Sequence, residues 1–439
     1  MKFTFRGGTH LNEHKDTEGL QTVRLPDPDT VSIPLSQHIG AHATPVVNVG
    51  DTVKIGQVIG VVEAGLGCPV HASISGTVKE IVSRNNAMGV PIRNIVIEND
   101  KLHTFDDALN KPYCKPLAET TAEEIVEIVK NAGISGLGGA TFPTYAKIQS
   151  AIGKADTIIV NCAECEPYIT ANHRLLLERT DAVITGLDVL MHALQAKNGI
   201  LAVEDNKPDA IELLNQRIQE LNKPYRVCVM KTKYPQGDER QLIYAILRRE
   251  IPAGKLPADV GCMIVNAETA AAVSRAFFRS LPLVSRIVTV TGDCIKNPQN
   301  VRAPLGASLY DLIEFCGGFT QTPKKLISGG PMMGQAQHDL YAPVTKGTSA
   351  ILAFSEEYDK INAQNSACIH CGNCVSHCPM HLMPNYLAEY AKEHRYDDAA
   401  KLDVMSCVEC GTCSYNCPAG IPIVQNIRIA KAVLRTKKK

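Results

Sequence analysis

One pattern near the C-terminus restricts this chain more than any other. It reads Cys368-Ile-His-Cys371-Gly-Asn-Cys374-Val-Ser-His-Cys378-Pro379 and recurs as Cys407-Val-Glu-Cys410-Gly-Thr-Cys413-Ser-Tyr-Asn-Cys417-Pro418. Each copy is C-x2-C-x2-C-x3-C-P. Three thiolates so closely spaced can wrap one face of a cubane, and the fourth, carried off by its proline, ligates the other cluster. The spacing predicts one [4Fe–4S] cluster on Cys368, Cys371, Cys374 and Cys417. It predicts a second on Cys407, Cys410, Cys413 and Cys378. Structural zinc takes four ligands, usually as two C-x2-C pairs, and gives this triplet no role. A disulfide framework is a poorer fit to a long chain with no secretory signal.

The remaining cysteines among the 16 are scattered, apart from Cys162 and Cys165, and suit buried thiols in a reducing compartment. Lys plus Arg and Asp plus Glu balance at 45 each, so no global field points to nucleic acid. The opening MKFTFRGGTH carries positive charge without an apolar core, unlike a signal peptide. No window approaches the roughly 18–20 apolar residues of a membrane span. The expectation is a cytoplasmic polypeptide that reaches a membrane only through partners.

Residues 1 to about 29 read as a polar, Pro-rich arm. Short β-runs follow: Val46-Val47, Val53 to Val62, Gly76 to Val82 and Ile92 to Ile97. VNVGDTVKIGQVIG followed by PVHASISGTVKEI resembles the biotinyl/lipoyl-type flattened barrel, whose central hairpin displays a lysine. Here that turn is Glu63-Ala64-Gly65-Leu66-Gly67-Cys68, with no lysine to modify, so packing or docking is the expected role. Thr121-Ala-Glu-Glu124 is a capping box ahead of a helix that Gly133 stops. A glycine loop (residues 136–139) leads to a second helix, Tyr145 to Ile152. The strand Thr157 to Val160 then runs into Asn161-Cys-Ala-Glu164-Cys-Glu166-Pro167. Strands at 199–203, 226–230 and 262–265 alternate with helices at 208–221, 239–249 and 267–279. This is the pattern of an open, mostly parallel sheet that binds ligands at the carboxyl ends of its strands. Beyond Arg286, VTVTGDCIKNP and GASLYDLIEFCGG resemble a small β-grasp module. Helices at 385–394 and 398–404 between the cysteine runs, and a last one at 423–434, imply an α-helical ferredoxin unit. The basic tail Lys437-Lys438-Lys439 reads as solvated charge.

A glycine loop opening a helix offers close backbone approach and free N–H groups to a phosphate. No G-x-G-x-x-G follows a strand, so a standard dinucleotide fold is not indicated. The order of motifs says more. GLGGATFPT with Lys147, NCAECEP, Gly237-Asp238-Glu239 and Asn266-Ala-Glu268-Thr269 succeed one another before the cysteine block. Residues 117–280 thereby resemble the FMN- and NADH-binding subunit of respiratory complex I, with its GRGGAGFPTG-x-K, NADEGEP, GEET and NVET.

Nearly the whole chain, including FRGGTH, PLSQHIGAHATPVVNVGD and YPQGDERQL, is similar to the RnfC family of ion-translocating ferredoxin:NAD oxidoreductases. The resemblance implies an arm and barrel-sandwich hybrid domain at 1–115 and an FMN/NADH-binding α/β domain at 116–283. An SLBB-like β-grasp module at 284–355 and a double-cluster ferredoxin domain at 356–439 would follow. It implies that Gly136, Gly138, Gly139 and Ala140 lie against FMN and that Lys147 supplies positive charge there. Asn161, Glu164 and Glu166 would line the isoalloxazine and nicotinamide pocket, and Gly237, Asp238, Glu239, Asn266 and Thr269 would complete the bed. Leu137 and Ala163 depart from the complex I pattern, replacing its arginine and aspartate. Cys162 and Cys165 are additions, read as packing thiols.

The implied activity is hydride exchange between NAD(H) and FMN, with single electrons passing through the two clusters. No protein acid or base is required. The implied setting is a membrane Rnf-type complex including a ferredoxin-like cluster subunit, with this chain peripheral on the cytoplasmic side. Two other readings stay open: an electron-transfer flavoprotein of a cobalamin or proline reductase system, and a cluster-bearing scaffold with a degenerate flavin site.

Overall fold

The computed structural model describes residues 2–86, 89–109, 111, 115–356 and 366–437. Lys438 and Lys439 of the basic tail, and Cys114 among the scattered cysteines, lie outside them.

The β-runs of the first hundred residues close into a flattened barrel of two sheets. One has the order Thr30–Pro34, Pro91–Asn99, Gly76–Asn85, Thr52–Val53, and the other Thr44–Pro45, Val58–Val61, Val70–His71. Val31, Ile33, Ile59, Ile74, Val78, Ile95 and Ile97 fill the space between them. The lysine-free turn does not project into solvent. Gly67 N donates to the Tyr145 hydroxyl at 3.4 Å, and the wholly buried Cys68 thiol faces Ile134 O at 3.6 Å. The turn is wedged into the next domain.

That domain carries four parallel strands in the order Tyr225–Met230, Asn198–Glu204, Thr157–Asn161, Cys262–Asn266. Thr157–Asn161 and Cys262–Asn266 are buried up to their final asparagines, as strands covered on both faces must be. The capping box at Thr121 and Glu124 forms as expected, and Gly133 continues past the helix end at φ +66°. Two helices absent from the sequence reading, Ala171–Glu178 and Thr180–Leu194, occupy the span after Pro167. In the second, Val183, Ile184, Leu187, Val189, Leu190 and Leu194 are all buried, so its apolar residues spread over a wide arc. A narrow amphipathic stripe is what periodicity detects best.

The third unit is a mixed six-stranded sheet, ordered Val23–Arg24, Gln299–Pro304, Ser285–Thr291, Ala350–Phe354, Lys325–Ser328, Gln335–Gln337, with the helix Leu309–Phe315. Its first strand comes from the N-terminal arm. The helices Pro384–Lys392, Tyr396–Lys401 and Ile423–Lys437 pack around Leu387, Ala399, Val404, Ile427 and Ala430 to form the cysteine-bearing unit. Among the described residues no helix is long and apolar enough to cross a membrane.

The arm binds these units together. Phe3 pairs with the edge of the parallel sheet through Val229 O and Lys231 N, and Thr9 exchanges both backbone bonds with Tyr234 at 2.8 Å. Between them Gly8 N donates to His377 O. Gly7 and Gly8 sit at positive φ, and a Cβ on Gly7 would come within 2.6 Å of Cys378 O. Only glycine fits a strand threaded so closely between two domains.

A similar limit holds where helix Thr180–Leu194 crosses helix Ala267–Arg279. A Cβ on Gly186 would fall inside the van der Waals shell of Ala270 O. We expect Gly186→Ala to destabilise the chain by about 2–3 kcal/mol through forced helix separation, despite alanine's better helix propensity. A fall in the urea midpoint with unchanged slope checks this.

Candidate functional site

The predicted flavin-bed residues collect at the carboxyl edge of the parallel sheet. Asn161 and Asn266 end adjacent strands and stand opposite each other in register. Asn161 Nδ2 donates to Gly237 O at 2.8 Å, and its Oδ1 accepts from Ala163 N. Asn266 caps helix Ala267–Arg279 by accepting from Glu268 N, while its side chain abuts Gly138. Thr269 Oγ1 accepts from Leu137 N at 2.9 Å, anchoring the glycine loop to that helix. Lys147 Nζ donates to Glu239 Oε2 at 2.7 Å and Ile264 O at 3.0 Å.

The loop itself is closed by Gly136 N donating to Phe142 O, and Gly138, Gly139 and Ala140 are exposed at its tip. A Cβ on Gly139 would meet nothing within 4 Å, and one on Gly136 only Phe142 backbone at 3.6 Å. A Cβ on Gly237, facing the loop's partner strand, would meet atoms only from 3.4 Å. Beneath the loop, the hydroxyls of Ser135 and Thr144 are buried without a partner. An open glycine cradle above a sheet edge fits a flavin phosphate and ring, and the residues present suit FMN.

The acidic residues are more committed to the fold. Glu164, buried, accepts from Asn172 N at 2.7 Å and His173 N at 3.3 Å, capping helix Ala171–Glu178. Asp238 likewise caps helix Glu239–Leu247 through Arg240 N and Gln241 N, and burial raises its carboxyl above the ordinary value. Glu166 turns toward the β-grasp unit and accepts from Met332 N and Met333 N, both at 3.0 Å. Burial pushes its carboxyl up to about 7 against the pull of those amides. Cys162 and Cys165 are held as neutral thiols by burial, which raises both well above the ordinary thiol range. That environment is one of packing, not of a reactive pair.

In the helical unit, Cys378, Cys407, Cys410 and Cys413 line one cavity, walled by Pro379, Leu382, Val424 and Ile427. Cys374 instead lies within electrostatic reach of Cys417, while Cys368 and Cys371 are exposed. Cys378 thus shares a cavity with the triplet of the other run, and Cys417 lies near one member of the first triplet. Among the described residues no three Cys, His, Asp or Glu side chains converge on a point as around a single metal ion; the four thiols ring a space. Burial and the neighbouring cysteines raise the Cys413 thiol, so a cationic iron core bound there would displace its proton. The donor set fits a cluster.

Tyr234 joins the two sites. Its hydroxyl donates to Cys410 O at 2.8 Å and reaches Glu166 Oε1 at 3.5 Å. Three residues on is Gly237, at most about 11 Å away along an extended chain. Gln241 Nε2 donates to Pro379 O at 3.1 Å, so the segment from Tyr234 to Gln241 touches both the flavin bed and the cavity wall. Lys15, from the arm, places its Nζ on Glu164 O, Glu166 O and Ile169 O at 2.7–2.8 Å. Neither Tyr234 nor Lys15 was singled out from the sequence. YPQGDERQL and FRGGTH contained or preceded them, but long-range contacts leave no local periodicity.

Four family models match in succession. The RnfC barrel sandwich hybrid domain covers residues 3–102, the Nuo51 FMN-binding domain 129–275, the SLBB domain 287–336 and the 4Fe-4S dicluster domain 367–421. The solved NAD+-reducing [NiFe]-hydrogenase in its H2-reduced state shares the fold at a TM-score of 0.53 and 18% identity, over 74% of this chain and 63% of that one. These define a multidomain protein with an FMN-binding domain and a dicluster domain.

The RnfC protein of the Na(+)-translocating ferredoxin:NAD(+) oxidoreductase complex of Acetobacterium woodii is 46% identical over 98% of this chain and 96% of its own. Its counterpart in the proton-translocating ferredoxin:NAD(+) oxidoreductase complex of Clostridium ljungdahlii is 41% identical over 98% and 94%. The counterpart in the ion-translocating oxidoreductase complex of Rhodobacter capsulatus is 40% identical over 99% and 84%. The chain belongs to the RnfC family of ion-translocating oxidoreductase complexes.

The hold of Glu166 on loop 330–334 is directly measurable. In Glu166→Ala, the amides of Met332 and Met333 lose their acceptor, and their hydrogen exchange should accelerate by about tenfold or more, as for a hydrogen bond worth roughly 1.5 kcal/mol or more. Amides of the parallel sheet should keep their protection.

Proposed function

We propose that this chain is the electron-input subunit of a membrane-bound, ion-translocating ferredoxin:NAD oxidoreductase, exchanging reducing equivalents with NAD(H). Its four-domain division at 1–115, 116–283, 284–355 and 356–439 follows the sequence reading. The names of its relatives support the setting, and the peripheral, cytoplasmic-side placement is part of the same reading. The observation that carries the assignment is the segment Tyr234–Gln241, which bonds to Asn161 and Lys147 on one side and to the wall of the four-thiol cavity on the other.

In this reading the loop of Gly136, Gly138, Gly139 and Ala140 receives the phosphate end of FMN. Lys147, tied to Glu239, adds positive charge nearby. Asn161, Gly237, Asn266 and Thr269 shape the bed under the ring. Glu164 and Asp238 act through the helix starts they cap, and Glu166 acts by fixing the β-grasp loop over the cluster unit. When bound, FMN supplies the conversion between a two-electron hydride donor and one-electron carriers. The cluster on Cys378, Cys407, Cys410 and Cys413 is the one beside the flavin bed. The cluster on Cys368, Cys371, Cys374 and Cys417, with two exposed ligands, faces the partner, a ferredoxin-like cluster subunit.

Anaerobic reconstitution with iron, sulfide and FMN tests this. NADH should bleach the flavin and develop cluster signals in electron paramagnetic resonance; reduction by dithionite but not NADH would leave only a relay. Gly139→Leu should fold normally, because its side chain enters open space, keep its iron and lose FMN. Cys378→Ser should disable the Cys407 cluster and block reduction of both clusters by NADH. Cys417→Ser should spare that cluster and disable the other. Loss of the Cys407 cluster in Cys417→Ser would refute the crossed ligation.

A further inference from the structure

Lys346 lies in a tight turn of the β-grasp unit with almost no solvent exposure. Its Nζ donates to Gly133 O at 2.7 Å, at the entry to the glycine loop. Its backbone N donates to Gln37 Oε1 at 3.2 Å, and its carbonyl accepts from Arg286 Nη1. The adjoining Gly347 packs against Thr141, at the loop's exit. One turn therefore touches both ends of the cradle from behind, while Gly139 faces open space on the other side.

The charge balance here is unusual. Arg286 is paired with Glu268 at 3.1 Å, both wholly buried. Among the described residues no carboxylate stands within ion-pair distance of Lys346, whose ammonium meets only a carbonyl. A buried ammonium without a counter-anion is costly unless something compensates it. The negative end of helix Ala122–Asn131 helps, but a helix terminus supplies only a partial charge.

We propose that Lys346 is a positioning residue of the flavin site: it fixes the Gly133 end of the glycine loop and supplies, from the β-grasp unit, the buried cation that the flavin phosphate balances. This rests on the reading that the loop holds FMN. The groups facing Lys346 are Cys68, His38 and His71 from the barrel, and Arg286 with Glu268. Burial lowers Lys346 to about 8 and His71 to about 3, lowers His38 and raises Cys68 above the ordinary thiol value. Near pH 8, Lys346 is the member of this cluster whose charge changes. A bound phosphate favours the ammonium, so affinity for FMN falls as pH rises past that value.

The test is titration of flavin-free protein with FMN and with riboflavin, which lacks the phosphate. Lys346→Met should weaken FMN by about tenfold or more beyond any change for riboflavin, with Lys346→Arg restoring part of the difference. Equal loss for both ligands, or no loss, overturns the proposal. If Lys346→Met fails to hold iron or fold, the wild-type protein decides: its preference for FMN over riboflavin should shrink between about pH 7 and about pH 9.5, and a flat ratio overturns the proposal. Gly139→Leu separates the two levels. If it binds FMN as wild type does, the flavin site itself is misplaced. If it loses FMN while Lys346→Met does not, only the role of Lys346 fails.

Discussion

The glycine loop, the parallel-sheet domain and the β-grasp sheet meet on one buried ion pair. Glu268 sits in the first turn of helix Ala267–Arg279 and accepts from Arg286 Nη2 at 3.1 Å and from Ile287 N at 3.0 Å. Arg286 begins the first central strand of the β-grasp sheet, and the same guanidinium donates to Leu137 O in the glycine loop at 3.2 Å. Desolvating two charges is repaid only when their remaining donors and acceptors are occupied. Here three different segments supply the partners, and only Arg286 Nε is left buried without one. The pair thus determines where the β-grasp sheet sits on the sheet edge and how the loop is bent. Removing either partner would leave a buried, unpaired charge, costing about 3–5 kcal/mol.

This arrangement also accounts for the departure at Leu137. Where the complex I pattern has an arginine in the loop, this chain buries a leucine and brings Arg286 to the same backbone from another domain. Positive charge is thereby moved from the loop's side chain to its underside. With Lys346 beside it, the loop rests on two buried cations and one carboxylate. A backbone cradle on such a base favours an anion without exposing a cation to solvent.

How much of this was legible beforehand differed by kind of interaction. Local signals held well: the Thr121 capping box, the stop at Gly133 and helix Ala267–Arg279 lie where spacing placed them. The crossed grouping expected of Cys378 and Cys417 follows the chemistry of a repeated motif; the fold puts Cys378 in the cavity of the Cys407 triplet and Cys417 near Cys374. Residues quoted for the flavin bed converge on one sheet edge, yet sequence could not separate ligand-facing groups from caps. Glu164 and Asp238 are caps because helices start shortly after them, one of which, at Ala171, periodicity had not revealed. Lys15, Tyr234, Arg286 and Lys346 were invisible for a different reason. Each makes a bond across domains that spans from about 150 to more than 200 positions, and nothing in its neighbourhood records the partner.

The same long-range ties explain why so much of the chain lies outside any cofactor site. An electron carrier works only if its centres keep a fixed separation, and domains joined by flexible linkers do not hold one. Gly7 and Gly8 let the arm pass between Tyr234 and Cys378, Tyr234 ties to Cys410, and Glu166 draws the loop of Met332 onto Gly411. Each contact is modest, worth about 1 kcal/mol as a hydrogen bond. They engage three separate domains around one point, so no domain can rotate without breaking several together. The barrel contributes in the same way. Its Cys68 turn, which carries no lysine, packs behind Ile134 where the chain enters the glycine loop.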